Sequence, residues 1–189
     1  MPSIIAGKRR GARLQVPEGL GVRPTLARVR EALFSMLTSA VGSFEGLCVL
    51  DPFAGAGLLG LEAWSRGAAH VDLVEMARPH FEILKKNIAT LNAQNDVRAL
   101  LGQTPRDWSK LGNTAYDLVL CDPPYHAGLM PQTLAALVEG HLLRPGALVS
   151  VEYDEGQMPE IPENFEIYRQ RGYGRCQILI LQPKAAQML

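Results

Sequence analysis

Residues 49–63 read VLDPFAGAGLLGLEA. A short apolar run ends in Asp51, passes Pro52 and a cluster of glycines, and re-emerges as an apolar stretch with helical spacing. Gly55, Gly57 and Gly60 satisfy G-x-G-x-x-G, a pattern that lets the backbone turn tightly from a strand into a helix and come close to a ligand at the helix N-terminus. Glycines needed only for a sharp turn give the same letters, so the reading rests on what surrounds the loop.

Outward from the loop, strands and helices alternate. LCVL is a strand and LLGLEAWSRG a helix closed by Gly67; HVDLVE is a strand, and RPHFEILKKNIATLN a helix with Phe81, Leu84, Ile88 and Leu91 inward. VRALLG and YDLVLC follow as strands, then a helix MPQTLAALVEGHLL closed by RPG, then the strand ALVSVEY. Such alternation predicts an α/β fold with right-handed crossovers and a mostly parallel sheet covered on both faces. FEIYRQR and RCQILIL flank GYG and predict a hairpin adding antiparallel strands at one edge. Upstream, TLARVREALFSMLTSAV carries Val29, Ala32, Leu33, Met36 and Leu37 at helical spacing, and SIIAGKRRGARLQV reads as a β-hairpin around a basic turn. The predicted organisation is a basic hairpin extension over 1–24 and one α/β domain over 25–189.

Composition narrows the class. At 189 residues, 47 % hydrophobic and 20 % charged, the chain has the make-up of a soluble globular protein, without an apolar run long enough for a membrane span or a signal-peptide core. A cytoplasmic protein is expected. Cys48, Cys121 and Cys176 are widely spaced, which argues against disulfides and zinc and for buried thiols. No metal is expected, since His70, His80, His126 and His141 lack ligand spacing. The formal charge is zero, yet residues 1–46 carry +4 and the remainder −4. Lys8, Arg9, Arg10, Arg13, Arg23, Arg28 and Arg30 form the basic part, a polyanion footprint or a solvated arm.

In open α/β sheets ligands bind beyond the carboxyl ends of the strands. Glu75 ends the strand after the loop, eighteen residues past Gly57, near the spacing at which a carboxylate accepts from both hydroxyls of an adenosine ribose. Asp51 sits four residues before Gly55, where an acid would repel a pyrophosphate and suits a cofactor bearing an ammonium. S-adenosylmethionine fits that arrangement and NAD is the runner-up. CDPPYH, residues 121–126, ends another apolar strand. Its prolines lack N–H and forbid further ladder pairing, which leaves Asp122 and Tyr125 at the strand's carboxyl end.

DPFAGAGLLGLEAWSRGA resembles the D-x-F-x-G-x-G loop of class I methyltransferases, and CDPPYH the [DNS]-P-P-[YFW] motif of those that methylate exocyclic amines. With GVRPTLARVREALFSML and GYGRC, the whole chain resembles the RsmD family of bacterial 16S rRNA guanine-N(2) methyltransferases. The resemblance implies a Rossmann-like seven-stranded sheet, S-adenosylmethionine as donor, and a guanine of 16S rRNA, conventionally numbered 966, as acceptor. The partner it implies is the small ribosomal subunit or a late assembly intermediate. Asp51, Phe53, Gly55, Gly57 and Glu75 would bind cofactor. Asp122, Pro123, Pro124 and Tyr125 would form the target site, and Lys8, Arg9, Arg10, Arg13, Arg23 and Arg28 would meet RNA. DPFAGAG stands where DLFAGSG is commoner, and Ser35 where asparagine is frequent. Gln103 lies nearest the place where the family has an acid or asparagine for the adenine amine.

These residue types suit amine methylation. Asp122 and the Pro123 carbonyl would each accept an N–H of the amine, aiming its lone pair at the sulfonium methyl, and the carboxylate opposes the positive charge that grows on nitrogen. Tyr125 offers a face on which an unstacked base rests. The same tetrapeptide serves enzymes acting on adenine in DNA or on protein glutamine. A non-catalytic RNA-binding assembly factor is the alternative from another class, and an NAD-dependent oxidoreductase leaves DPPY without a purpose.

Overall fold

Alternating apolar residues split each strand between two cores. In the computed structural model, which describes residues 1–17, 24–123 and 128–184, Val49 joins one buried cluster and its neighbour Leu50 the other. Leu118 and Val119 divide in the same way. This is the twofold alternation of strands buried on both faces. The elements are α1 (Pro24–Val41), β1 (Cys48–Asp51), α2 (Leu58–Ser65), β2 (His70–Glu75), α3 (Arg78–Leu91), β3 (Val97–Leu101), β4 (Tyr116–Cys121), α4 (Leu129–Glu139), β5 (Leu143–Asp154), β6 (Phe165–Tyr173) and β7 (Cys176–Pro183).

The strands form one seven-stranded sheet in the order β3-β2-β1-β4-β5-β7-β6. β3, β2, β1, β4 and β5 run parallel, while β7 is antiparallel to both β5 and β6. The α/β architecture and the edge hairpin agree with expectation. One core holds Leu33 and Leu37 of α1, Leu61 of α2 and Leu84 and Ile88 of α3. The other holds Leu134 and Leu137 of α4 with Trp108 and Leu111 of a short 3-10 turn. Among the described residues no helix is long and apolar enough to cross a membrane.

The reading of 130–147 needs correction. α4 stops at Glu139, capped by Gly140, and His141 takes a positive φ of 50° as the chain reverses. β5 therefore starts at Leu143, and RPG forms an irregularity inside it, between the pairs Tyr116–Leu143 and Leu118–Leu148. The apolar run HLL looked like one more helical turn because periodicity cannot separate a buried helix end from a strand start. On α3, Leu84, Ile88 and Leu91 are buried as expected, whereas Phe81 is half-buried beneath the Lys85 amine. Of the thiols only Cys121 is buried; Cys48 and Cys176 are half-buried, and all three are free.

The N-terminal segment pairs back on itself through Ser3 and Arg13, with a 3-10 turn at Gly7–Arg9. Ile4 and Leu14 are buried in the same core as α1 and α2. Glu62 of α2 accepts from the Ile5 and Ala6 N–H groups at 2.7 and 3.0 Å, and Asn87 of α3 bonds both backbone groups of Gln15. A Cβ on Gly7 would meet the Ser65 carbonyl oxygen at 1.8 Å, so the turn lies flat on α2. Leu14→Ala is accordingly expected to destabilise the whole protein by about 2–5 kcal/mol, the range for emptying a leucine site in a core. A urea midpoint unchanged from the parent would show that the segment packs without contributing to stability.

Candidate active site

β1 lies between β2 and β4, so the chain steps one way to β2 and β3 and the other way to β4 and β5. The cleft beyond the carboxyl ends of β1 and β4 is the switch point where α/β sheets bind ligands. Asp51 ends β1, Glu75 ends β2 and Asp122 follows β4 directly. Three acids separated by many residues in sequence thus share one edge.

The glycine loop is held by two of them. Asp51, fully buried, accepts from the Gly60 N–H at 3.1 Å and the Phe53 N–H at 3.4 Å. Glu75 accepts from the Gly55 N–H at 2.8 Å and the Ala77 N–H at 2.6 Å. The loop is also tied to β2 through the Ala54 N–H and Val74 carbonyl, 2.9 Å. Gly60 is required by packing, since a Cβ there would stand 2.2 Å from Leu73 Cδ2. Gly55 and Gly57 have φ of 54° and 88°, and among the described residues nothing fills the space where a Gly55 Cβ would point. A ligand can approach the backbone there.

Electrostatics distinguish Asp51 and Asp122 from ordinary surface carboxylates. Burial pushes Asp51 up to about 7, the Gly60 and Phe53 N–H groups oppose that shift, and the charges of Asp122 and Glu75 add to it. Asp122 is exposed, yet the protein atoms around it remove part of its hydration, and this pushes it up to about 6. Cys121, between them, is pushed up by burial and then by both acids, so its thiol stays protonated. A recess that resists ionisation of its own acids favours a cationic ligand.

Asp51 also supplies a pH test. It binds its proton more tightly folded than unfolded, so its contribution to stability is complete below about pH 4 and is lost as pH rises through about 7. The parent's thermal midpoint is expected to fall over that window. Asp51→Asn, which cannot ionise, should fall less. Parallel pH profiles for the two proteins would refute the assignment.

The other sequence-derived residues divide. Phe53 is half-buried against the core that holds Trp108. Gln103 is exposed; its backbone N–H donates to Asp107 at 2.8 Å. Pro123 is buried beside Asp122, while Pro124, Tyr125, His126 and Arg23 lie outside the described residues. Among the basic residues, Lys8 lies 4.1 Å over the Trp64 ring and 3.6 Å from Asp96, so its charge has a local role. Arg10, Arg13 and Arg28 are exposed, and Arg9 is half-exposed. Among the described residues no cluster of His, Cys, Asp and Glu is placed to hold a metal. Two cavities of about 150 and 260 Å³ open near Pro145, at the amino end of β5, away from these acids.

Sequence reasoning missed three supports. Thr104 donates to the Pro52 carbonyl at 2.6 Å and so pins the glycine loop from the segment after β3. Asn87 donates to both the Ala56 and Gln15 carbonyls at 2.9 Å, joining that loop to the N-terminal segment. Its place on the apolar stripe of α3, between Leu84 and Leu91, was the available signal. The third is Glu152, on β5 beside Asp122.

The family model described as Conserved hypothetical protein 95 matches residues 3–182. Ribosomal RNA small subunit methyltransferase D of Escherichia coli (strain K12) is 38 % identical over 183 residues, which span 96 % of this chain and 90 % of that protein. The protein of the same name from Haemophilus influenzae is 36 % identical over 173 residues, 90 % of this chain and 88 % of that one. Among solved structures, the putative methyltransferase yhhF from Escherichia coli superposes with a TM-score of 0.83 at 36 % identity, covering 97 % of this chain and 98 % of that chain.

Proposed function

Since the chain belongs to the RsmD methyltransferase family, matched as Conserved hypothetical protein 95, we propose that it transfers a methyl group from S-adenosylmethionine to the 2-amine of a guanine in 16S rRNA of the small ribosomal subunit, at the position conventionally numbered 966. The observation that carries this reading is Asp122, an acid of raised pKa leaving β4 at the switch point beside Asp51.

The residues at this edge suit the donor. Each Glu75 oxygen holds one backbone N–H and keeps lone-pair capacity for a ribose hydroxyl. Met76, exposed next to it, offers an apolar surface for a base. Among the described residues the N–H groups of Leu58 and Leu59 at the start of α2 have no acceptor, which suits a ligand carboxylate. The donor, when bound, supplies a sulfonium-activated methyl: the amine lone pair forms the new bond to carbon while the carbon–sulfur pair returns to sulfur. Asp122 accepts one amine N–H, the Pro123 carbonyl accepts the other, and the proton shed by the methylated amine passes through Asp122 to solvent. Holding nitrogen and methyl in line is the chain's main contribution.

The deciding experiment incubates the protein and labelled donor with unmodified small subunits, free 16S rRNA and duplex DNA, and maps the product base. A labelled guanine 2-amine in the rRNA is expected. Label in adenine, or in protein, would overturn the assignment.

RNA contact is expected from the exposed arginines of the N-terminal turn. Arg10 and Arg13 meet no acid among the described residues. If each neutralises a phosphate, Arg10→Ala with Arg13→Ala lowers subunit affinity and reduces the slope of log K against log salt by about one to two. Coincident salt titrations of parent and double variant would place the RNA elsewhere.

A further inference from the structure

Four neighbouring strands, β2, β1, β4 and β5, carry acids at the carboxyl edge: Glu75, Asp51, Asp122 and Glu152. The first three act in the reading above and Glu152 does not. β4 and β5 pair with Cys121 level with Val151, so Asp122 leaves β4 next to the stretch of β5 that carries Glu152, and the Asp122 charge acts on Glu152. Glu152 is only 8 % exposed. Among the described residues its hydrogen-bond partner is a weak donor, the Cys176 thiol at 3.7 Å.

The neighbourhood does not satisfy the carboxylate. Burial and then the Asp122 charge push Glu152 up to about 8, Asp51 adds to the shift, and Arg30 of α1 opposes it only weakly. The Arg30 guanidinium donates instead to the Ser3 carbonyl at 2.5 Å, and its buried Nε has no acceptor among the described residues. The Cys176 thiol is itself pushed up to about 12 by burial and Glu152. A buried acid left with one weak donor costs stability. Local costs of this kind concentrate where a ligand completes the hydrogen bonding.

We infer that Glu152 is a specificity residue of the acceptor pocket: it accepts a hydrogen bond from the ring N–H adjoining the target amine, so the pocket takes guanine and rejects adenine. This rests on the guanine-amine reading above. Guanine presents N1–H and the 2-amine as adjacent donors on one edge. Adenine presents its amine beside a bare N1 acceptor. The N1–H donor, once seated beside Glu152, favours its ionised form, and two neighbouring carboxylates, from β4 and β5, then match a donor–donor edge and repel a donor–acceptor edge.

The test uses small subunits reconstituted on rRNA with guanine or 2-aminopurine at the methylated position; 2-aminopurine keeps the 2-amine and lacks N1–H. Product on guanine from the parent is read first, and its absence overturns the premise. Given that product, the parent is expected to lose about tenfold or more in kcat/KM on 2-aminopurine, the scale of one hydrogen bond to a charged group. Glu152→Ala should lose a similar factor on guanine and show no further loss on 2-aminopurine, with cofactor affinity unchanged by calorimetry. Losses that multiply would overturn the role of Glu152. Should the alanine variant fail to fold, Glu152→Gln keeps the shape and is expected to show a smaller 2-aminopurine penalty than the parent; an equal penalty would overturn the inference.

Discussion

Replacing Asp122 by alanine is expected to lower turnover about a hundredfold or more while leaving S-adenosylmethionine affinity nearly intact. In the proposed reading the carboxylate meets the amine, and charge grows on that nitrogen only as the new bond forms, so the lost interaction would belong to the transition state. A hundredfold corresponds to about 2.7 kcal/mol, the scale of one well-placed group in a water-poor site. Stability should move the other way. Asp122 raises the pKa of both Asp51 and Glu152, so its removal eases their ionisation, and the variant should be at least as stable as the parent at pH 7 to 8. Full activity on small subunits would remove Asp122 from the mechanism. Loss of activity together with loss of stability would mark it as structural.

Glu75→Ala is expected to weaken S-adenosylmethionine binding by a hundredfold or more. Two hydrogen bonds from ribose hydroxyls to a carboxylate are each worth about 1.5–3 kcal/mol. The variant also frees the Gly55 and Ala77 N–H groups, so the glycine loop loses its anchor to β2. Glu75→Gln keeps one good acceptor and should lose less. Calorimetry with the cofactor and with its homocysteine product is the measurement, and equal affinity in variant and parent would take Glu75 out of the site. The paired outcomes would separate the strands, assigning donor affinity to β2 and turnover to β4.

The sequence by itself determined the layers and the loop. Apolar runs alternating with stripes of helical period leave few folds other than a covered, mostly parallel sheet. A G-x-G-x-x-G pattern between a strand and a helix marks the tight turn at the carboxyl edge of the sheet, because glycine allows the positive φ seen at Gly55 and Gly57. Asp51, Glu75 and Asp122 were legible for the same reason, each standing where an apolar strand stops. The α4–β5 junction was not, since Leu142 and Leu143 are apolar in either element and only the turn at Gly140 and His141 decides between them.

Side-chain pairing across the sheet was decided by the tertiary structure alone. Asp51 reads as a cofactor acid, yet its oxygens bond the Gly60 and Phe53 N–H groups, so the fold uses it to shape the loop. The basic letters of 8–13 read as one patch, but Lys8 is bound to Trp64 and Asp96 while Arg10 and Arg13 stay exposed. Arg30 reads as part of the same charge excess and is buried against Ser3. Glu152 carried no local signal, because a single acid in ALVSVEY is unremarkable until β4 is laid beside β5. Periodicity and turn chemistry act over a few residues and are written along the chain. Which acid meets which donor depends on strand order and register, and those are chosen by the packing of whole layers.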